Sequence, residues 1–245
     1  MALLTRRRRQ PRQVDDTRMS VIEHLEALRR ALIVSSAGWL VATAAAYVVH
    51  NQVFDFLKSR SGVHTILLLE PTAGVFIGFK IALYLGLVLA SPIVFSQLWW
   101  FISPGLHAHE KRLIVPLIGA TTFFFLVGVA FAIYALPLFM GVLNAFNPPD
   151  TTAQYTADSI ISFVLAIVLA FGVVFELPVV LYTLGMLRII SSRWLYQHRL
   201  YWVIALGLVA NVMTPGVDPF TPLLVFIPLY VFWEGTALLL KLSGR

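Results

Sequence analysis

Glu110 stands where a long uncharged run ends. From Ile81 to Leu106 no side chain carries a formal charge, and His107, His109, Glu110, Lys111 and Arg112 then follow within six positions. A carboxylate there can receive a guanidinium or ammonium group. It can also simply favour the first turn of the next helix through the helix dipole, by several tenths of a kcal/mol. Glu176, in FGVVFELP (171–178), lies eleven residues before Leu187, about 17 Å of helix, within a strongly apolar stretch. An ionised carboxylate at membrane depth costs about 2.5 kcal/mol or more, so it should face a wet cavity, a partner or a proton; the plainer alternative is a polar contact between helices. Glu26 and Arg30 have the i, i+4 spacing of an ordinary surface ion pair contributing a few tenths of a kcal/mol. Asp218 lies in the breaker-rich turn TPGVDP (214–219), where turn chemistry alone accounts for an acid.

No nucleophile, base and acid come together, and no phosphate loop or internal repeat is present. His107 and His109 form an i, i+2 pair with no carboxylate arrangement around it, a weak metal pattern, and the chain has no cysteine. The expectation is no cofactor, no metal and no enzyme.

The elements that position these acids follow from composition. With 245 residues, 59% hydrophobic and 12% charged, and a mean hydropathy of +0.83, the chain is too apolar for a soluble domain and too long for a single anchor. Apolar stretches near 31–49, 76–102, 113–140, 159–187, 200–213 and 222–240 predict an all-α polytopic membrane protein with six transmembrane helices. The net charge of +6 suggests nucleic acid only until the charges are placed. Fifteen of the eighteen Lys and Arg fall in the N-terminal arm, the second-to-third and fourth-to-fifth loops and the C-terminal tail, all on one side. The positive-inside rule makes that side cytoplasmic, together with both termini, and nucleic acid is not an expected partner. Trp99, Trp100, Trp194 and Trp202 flank the same loops, as an interfacial aromatic belt would.

Residues 1–18 read as a flexible basic arm near anionic lipid headgroups, and 19–245 as one membrane domain. Ser20 and Glu23 have capping-box spacing, opening a short amphipathic helix that leads into the first span. Ala42-Thr43-Ala44 admits a cleaved signal peptide, but the run is long enough to span and five more follow. In the long loop 50–75, Val63–Leu69 is apolar enough to lie along the interface or cap the bundle, and Lys80 should snorkel outward. Pro92, Pro116, Pro137, Pro178 and Pro228 interrupt four of the six stretches, which predicts curved helices around a concavity. The last two spans are expected to be short, thinning the bilayer or failing to cross it.

Four segments, in order, resemble the TatC family, the receptor subunit of the twin-arginine protein translocase. HLEALRRAL (24–32) is similar to that family's HLxELRxRL, and SPIVFSQLWWFISPGLHAHEKR (91–112) to its P-x4-Q-x-W-x-F-x-x-P-x-L-x3-E-[KR] signature. FGVVFELPVV (171–180) and TPGVDPF (214–220) resemble its fourth-span and fifth-to-sixth-turn motifs. The resemblance implies a glove-like bundle in the cytoplasmic (inner) membrane that binds the paired arginines of signal peptides at its cytoplasmic face. Glu110 would be the main acid there, with Glu26, Arg29 and Phe101 at matching positions. It also implies that Glu176 lines a concave intramembrane groove and that Thr214, Pro215 and Asp218 belong to the extracytoplasmic turn. The implied partners are twin-arginine signal peptides of folded cargo, TatA and TatB-type single-span subunits, other copies of the chain, and membrane lipid. Two departures stand out. Ala27 occupies the place of the family's second acid, with Glu26 one position earlier and about 100° round the helix, and Pro222 stands where a Gln is frequent. The rival class is a secondary transporter using Glu176 as a proton or substrate site. Against it, no second half mirrors the first and no second intramembrane charge clearly faces Glu176. A scaffold without ligand recognition is a third reading.

Overall fold

A single helix, α1 (Val21–Val48), covers both the amphipathic lead-in and the first span that the sequence suggested as two pieces. It contains no proline, so nothing ends the first piece before the second begins. The computed structural model describes residues 21–63, 65–107, 110–148, 154–214 and 220–244. The basic arm over 1–18, the Ser20 cap, His109, Pro215 and Asp218 therefore lie outside the described residues.

After α1 come α2 (His50–Ser61), the two-residue strand β1 (Ile66–Leu67) and α3 (Ala73–Ile102). Two 3₁₀ turns, Ser103–Gly105 and Lys111–Leu113, lead into α4 (Ile114–Ala145). The strand β2 (Tyr155–Thr156), α5 (Ala157–Val174), α6 (Leu177–Met186), α7 (Ser192–Gln197), α8 (Arg199–Met213) and α9 (Thr221–Leu242) complete the chain. Among the described residues, five segments are long and apolar enough to cross a membrane: Val21–Val48, Ala73–Gly105, Lys111–Ala145, Ala157–Met186 and Thr221–Leu242.

The short C-terminal pair needs correcting. Helix α8 has 15 residues, about 22 Å, less than a hydrocarbon core of about 30 Å. Helix α9 has 22, about 33 Å, and spans without help. Pro222 sits in its first turn, where no backbone donor is needed, and the helix runs past Pro228 and Glu234 to Leu242. Pro92, Pro137 and Pro228 all lie inside continuous helices. The fourth span is interrupted at Phe175 and Glu176, between α5 and α6 and just before Pro178.

The loop 50–75 is mostly ordered as helix. Gly62 ends α2 in the left-handed conformation, φ 69°, and Leu57 on α2 is buried against the bundle. Val63 and Ile66 pack on the core, so this segment caps the bundle. Ile66 and Leu67 pair in parallel with Tyr155 and Thr156, joining the chain before α3 to the chain before α5.

The core lies between α4 and α5, where Leu136, Phe139, Ile161, Val164 and Phe171 are buried, and extends to Trp233 and Leu240 of α9. Gly128 and Gly172 allow the close approach: a Cβ on Gly128 would lie 2.4 Å from the Phe171 carbonyl oxygen, and one on Gly172 2.7 Å from the Phe125 ring. Small residues at such contacts drive helix association in lipid, where apolar burial gives no advantage. Helix α1 packs along α3, with Thr43 against Gly86 and Trp39 Nε1 donating to the Leu83 carbonyl at 2.9 Å. Ala46 is its one buried residue.

Two expectations fail on packing. Trp99 is 6% exposed and its Nε1 donates to Thr121 Oγ1 at 3.4 Å, so it belongs to the interior, while Trp100 and Trp194 are exposed as a belt requires. Lys80 does not reach outward alone. Its Nζ donates to Asp158 Oδ1 at 2.5 Å and to Ser162 Oγ at 2.7 Å, across α3 and α5.

Candidate functional site

The turn between α3 and α4 gathers the residues that the sequence singled out first. Phe101 occupies the last turn of α3, and His24 from the start of α1 stacks on it, ring centroids 4.5 Å apart and planes 25° apart. Nine residues on, Glu110 precedes the 3₁₀ turn Lys111–Leu113. Its Oε2 accepts from the His107 backbone N–H at 2.8 Å and lies 3.1 Å from His107 Nδ1. The Glu110 side chain is 16% exposed while His107 is 79% exposed, so the carboxylate is sheltered by the turn it closes. Glu110 thus reaches back to His107, and its carbonyl accepts from Leu113 N–H at 2.9 Å. The turn offers a partly screened carboxylate, and the end of α3, nine residues earlier, an aromatic platform. Such a pair suits a guanidinium, which can donate two hydrogen bonds and stack.

Helix α1 does not present its acids equally. Glu26 is exposed, and among the described residues it makes no ion pair with Arg30. Two residues from His24 is about 160° round the helix in the shorter sense, so Glu26 faces away from the Phe101 stack. Ala27 is half-buried and Arg29 exposed. Glu23 stands four residues before Ala27, on the same helical face.

Glu176 sits at the break in the fourth span. Pro178 cannot donate to the Val174 carbonyl, and the chain restarts as α6 with Glu176 as its cap residue. Val180 N–H donates to the Glu176 carbonyl at 2.9 Å. The side chain is half-buried, and its Oε1 is buried with no hydrogen-bond partner among the described residues. One turn on, Pro178, Val179, Tyr182 and Met186 line an apolar cavity of about 460 Å³ together with Leu113 and Pro116 of the α4 entrance. At the other end of the bundle, Thr214 caps α8: it is buried and its Oγ1 donates to the Ala210 carbonyl at 2.7 Å.

One polar cluster escaped the sequence reading. Arg199 at the start of α8 donates to Tyr230 Oη and to Glu234 Oε2, the latter at 3.2 Å, and its guanidinium lies 5.6 Å from the Tyr230 ring centre. Tyr230 donates to Glu234 at 3.2 Å. Partial burial, and then the charge of Glu234, push the neighbouring Tyr196 phenol above its ordinary value. The i, i+4 spacing of Tyr230 and Glu234 was the visible signal. Among the described residues no group of His, Asp and Glu could hold a metal.

Comparison with known proteins decides among the classes. The family model described as "Sec-independent protein translocase protein (TatC)" matches residues 23–228. The chain belongs to the TatC family. A TatC from Aquifex aeolicus is 36% identical over 235 residues, covering 93% of this chain and 97% of that one. A TatC from Carboxydothermus hydrogenoformans is 34% identical over 234 residues, covering 93% and 95%. The fold is similar to a crystal structure described as the twin-arginine translocase receptor TatC, with TM-score 0.79, 34% identity, and 91% and 100% coverage. A TatC-family protein is a component of a protein translocase, not an enzyme, in keeping with the missing catalytic set.

Proposed function

We propose that this chain is the signal-receiving subunit of a twin-arginine translocase. It sits in the cytoplasmic membrane with six crossings, α8 included, and with both termini cytoplasmic. The observation that carries the reading is the α3–α4 turn, where a sheltered Glu110 carboxylate stands nine residues from the Phe101–His24 stack. Paired arginines use both features, bidentate charge-assisted hydrogen bonds and stacking on a flat aromatic surface, and lysine, a point charge without the planar fork, matches neither geometry as well. Glu110 is the main acid, Phe101 the platform, and Arg29 part of the rim. Glu26 lies on the outer side of α1, so Glu23, on the face of Ala27, supplies the second carboxylate.

The bundle is glove-like, and Glu176 lines its groove. That groove and the short α8 serve assembly with TatA and TatB-type single-span subunits and with further copies of the chain. Asp218, with Thr214 and Pro215, forms the extracytoplasmic turn.

The test is binding of a twin-arginine signal peptide to the purified protein in detergent, beside the same peptide carrying two lysines, for wild type, Glu110→Ala, Glu23→Gln and Glu26→Gln. Arginine should be preferred, the preference should collapse in Glu110→Ala, and Glu23→Gln should weaken binding more than Glu26→Gln. Equal binding of both peptides to the wild type defeats the receptor reading.

A further inference from the structure

The opposite end of α3 carries a second site. Lys80 lies 21 residues before Phe101, about 32 Å of helix away. Beside it a cavity of about 570 Å³ is bounded by the chain before α3, by α3 itself and by the start of α5. One wall is a stripe on α3: Phe76, Phe79 and Leu83 recur at helical spacing, and the two phenylalanines are 64% and 52% exposed. The polar wall is Glu70, Lys80 and Asp158.

The charges of that wall are arranged in depth. Glu70 lies outside the first turn of α3, Lys80 seven residues inside the helix, and Leu83 deeper still. Lys80 uses two of its three donors, on Asp158 at 2.5 Å and Ser162 at 2.7 Å, and keeps one. Asp158 is half-exposed, and among the described residues the Glu70 carboxylate has no hydrogen bond or ion pair. One cation against two carboxylates leaves a net charge of −1. A headgroup bearing only phosphate would meet that excess; a free amine would leave Lys80 and the aromatic stripe unused. An ammonium outermost, a phosphate beneath it and an acyl chain below match the order of acid, lysine and apolar stripe.

We propose that this cavity binds a zwitterionic phospholipid with a primary ammonium headgroup. The ammonium donates to Glu70 and Asp158, the phosphate accepts from the third Lys80 proton, and one acyl chain lies along Phe79 and Leu83. Pairing of this kind distinguishes three headgroups. A quaternary ammonium has no N–H to donate, and a glycerol headgroup has no positive charge.

Native mass spectrometry of the purified full-length protein, titrated with phosphatidylethanolamine, phosphatidylcholine and phosphatidylglycerol of matched chains, reads the selectivity. Phosphatidylethanolamine should bind about tenfold more tightly than either of the others, the effect of one charge-assisted hydrogen bond. Glu70→Gln, at an exposed position remote from the core, should shrink the advantage over phosphatidylcholine, and Glu70→Gln combined with Asp158→Asn should erase it. Lys80→Met should weaken phosphatidylethanolamine and phosphatidylcholine alike. Equal binding of phosphatidylethanolamine and phosphatidylglycerol to the wild type overturns the proposal, as does a preference that survives the double substitution Glu70→Gln with Asp158→Asn. The signal-peptide assay is independent of this result, since the two sites stand at opposite ends of α3.

Discussion

Replacing Gly128 by alanine should loosen the bundle at the crossing of α4 and α5, where backbone meets backbone. The added Cβ would lie 2.4 Å from the Phe171 carbonyl oxygen, 2.9 Å from its carbonyl carbon and 2.9 Å from Phe175 Cβ. Backbone, not a pliable side-chain end, stands in the way. That carbonyl already accepts from Phe175 N–H at 3.0 Å in the last turn of α5, so it cannot turn aside. Reaching ordinary contact at 3.4 Å requires α4 and α5 to part by about 1 Å. Overpacking of this kind costs about 1–3 kcal/mol. Alanine also gains up to about 1 kcal/mol in helix propensity over glycine, which blurs a single measurement. Gly119 and Gly141 remove that ambiguity, because both lie in α4 and neither has an atom within 4 Å of an added Cβ. The propensity gain is common to all three variants, so the difference between them isolates the clash. In thermal unfolding of the detergent-solubilised protein, Gly128→Ala should melt roughly 2–12 °C below Gly119→Ala and Gly141→Ala, at about 2–4 °C per kcal/mol for a chain of this length. A Gly128→Ala midpoint level with those two would refute the close-packed reading of α4 and α5.

The Lys80–Asp158 pair, partly exposed on both sides, should show a coupling under about 1 kcal/mol in a double-mutant cycle with Lys80→Met and Asp158→Asn; a value above about 2 would mean that water is excluded from it. Glu110→Gln should speed hydrogen exchange at the His107 amide by about tenfold, through loss of a charged acceptor at 2.8 Å, and unchanged exchange would place the carboxylate elsewhere. In nanodiscs, electron cryo-microscopy should find the bilayer thinner beside α8 than beside α1, because 15 residues reach about 22 Å and 28 reach about 42 Å; equal thickness would mean that α8 is fully embedded in other protein.

Hydropathy made the long helices legible, since each needs only its own residues to be recognised. Contacts between distant residues were not. Lys80 and Asp158 are 78 positions apart, so the lysine read as a lone charge bound for the surface when in fact it bridges two helices. Trp99 was misplaced for a related reason: a tryptophan near a basic loop suits the interface, and only the fold reveals Thr121 beneath it. Helix α2 was within reach. Val53, Phe54 and Leu57 follow helical spacing and Gly62 is a plain stop, but a segment of twelve residues is too short to stand out by hydropathy as the spans do. At the α3–α4 turn, Glu110 and Phe101 stand out by motif. The stacking of His24 on Phe101 does not, because it joins residues 77 apart. Pro178 announced a bend, and the full interruption at Glu176 follows from a carbonyl left without its donor.

The attachment of α1 has a bearing on how the chain is made. Synthesis delivers α1 first, yet its packing partner is α3, which begins 25 residues after α1 ends. Until α3 enters the membrane, Thr43 has no Gly86 notch to fill and the Trp39 indole has no Leu83 carbonyl. The first helix therefore waits in lipid as a lone rod, and the second to span converts it into a hairpin before α4 and α5 exist. Pairing of α1 with α3 can thus precede the rest of the bundle, and a chain stopped shortly after Phe101 already contains the helix along which α1 packs.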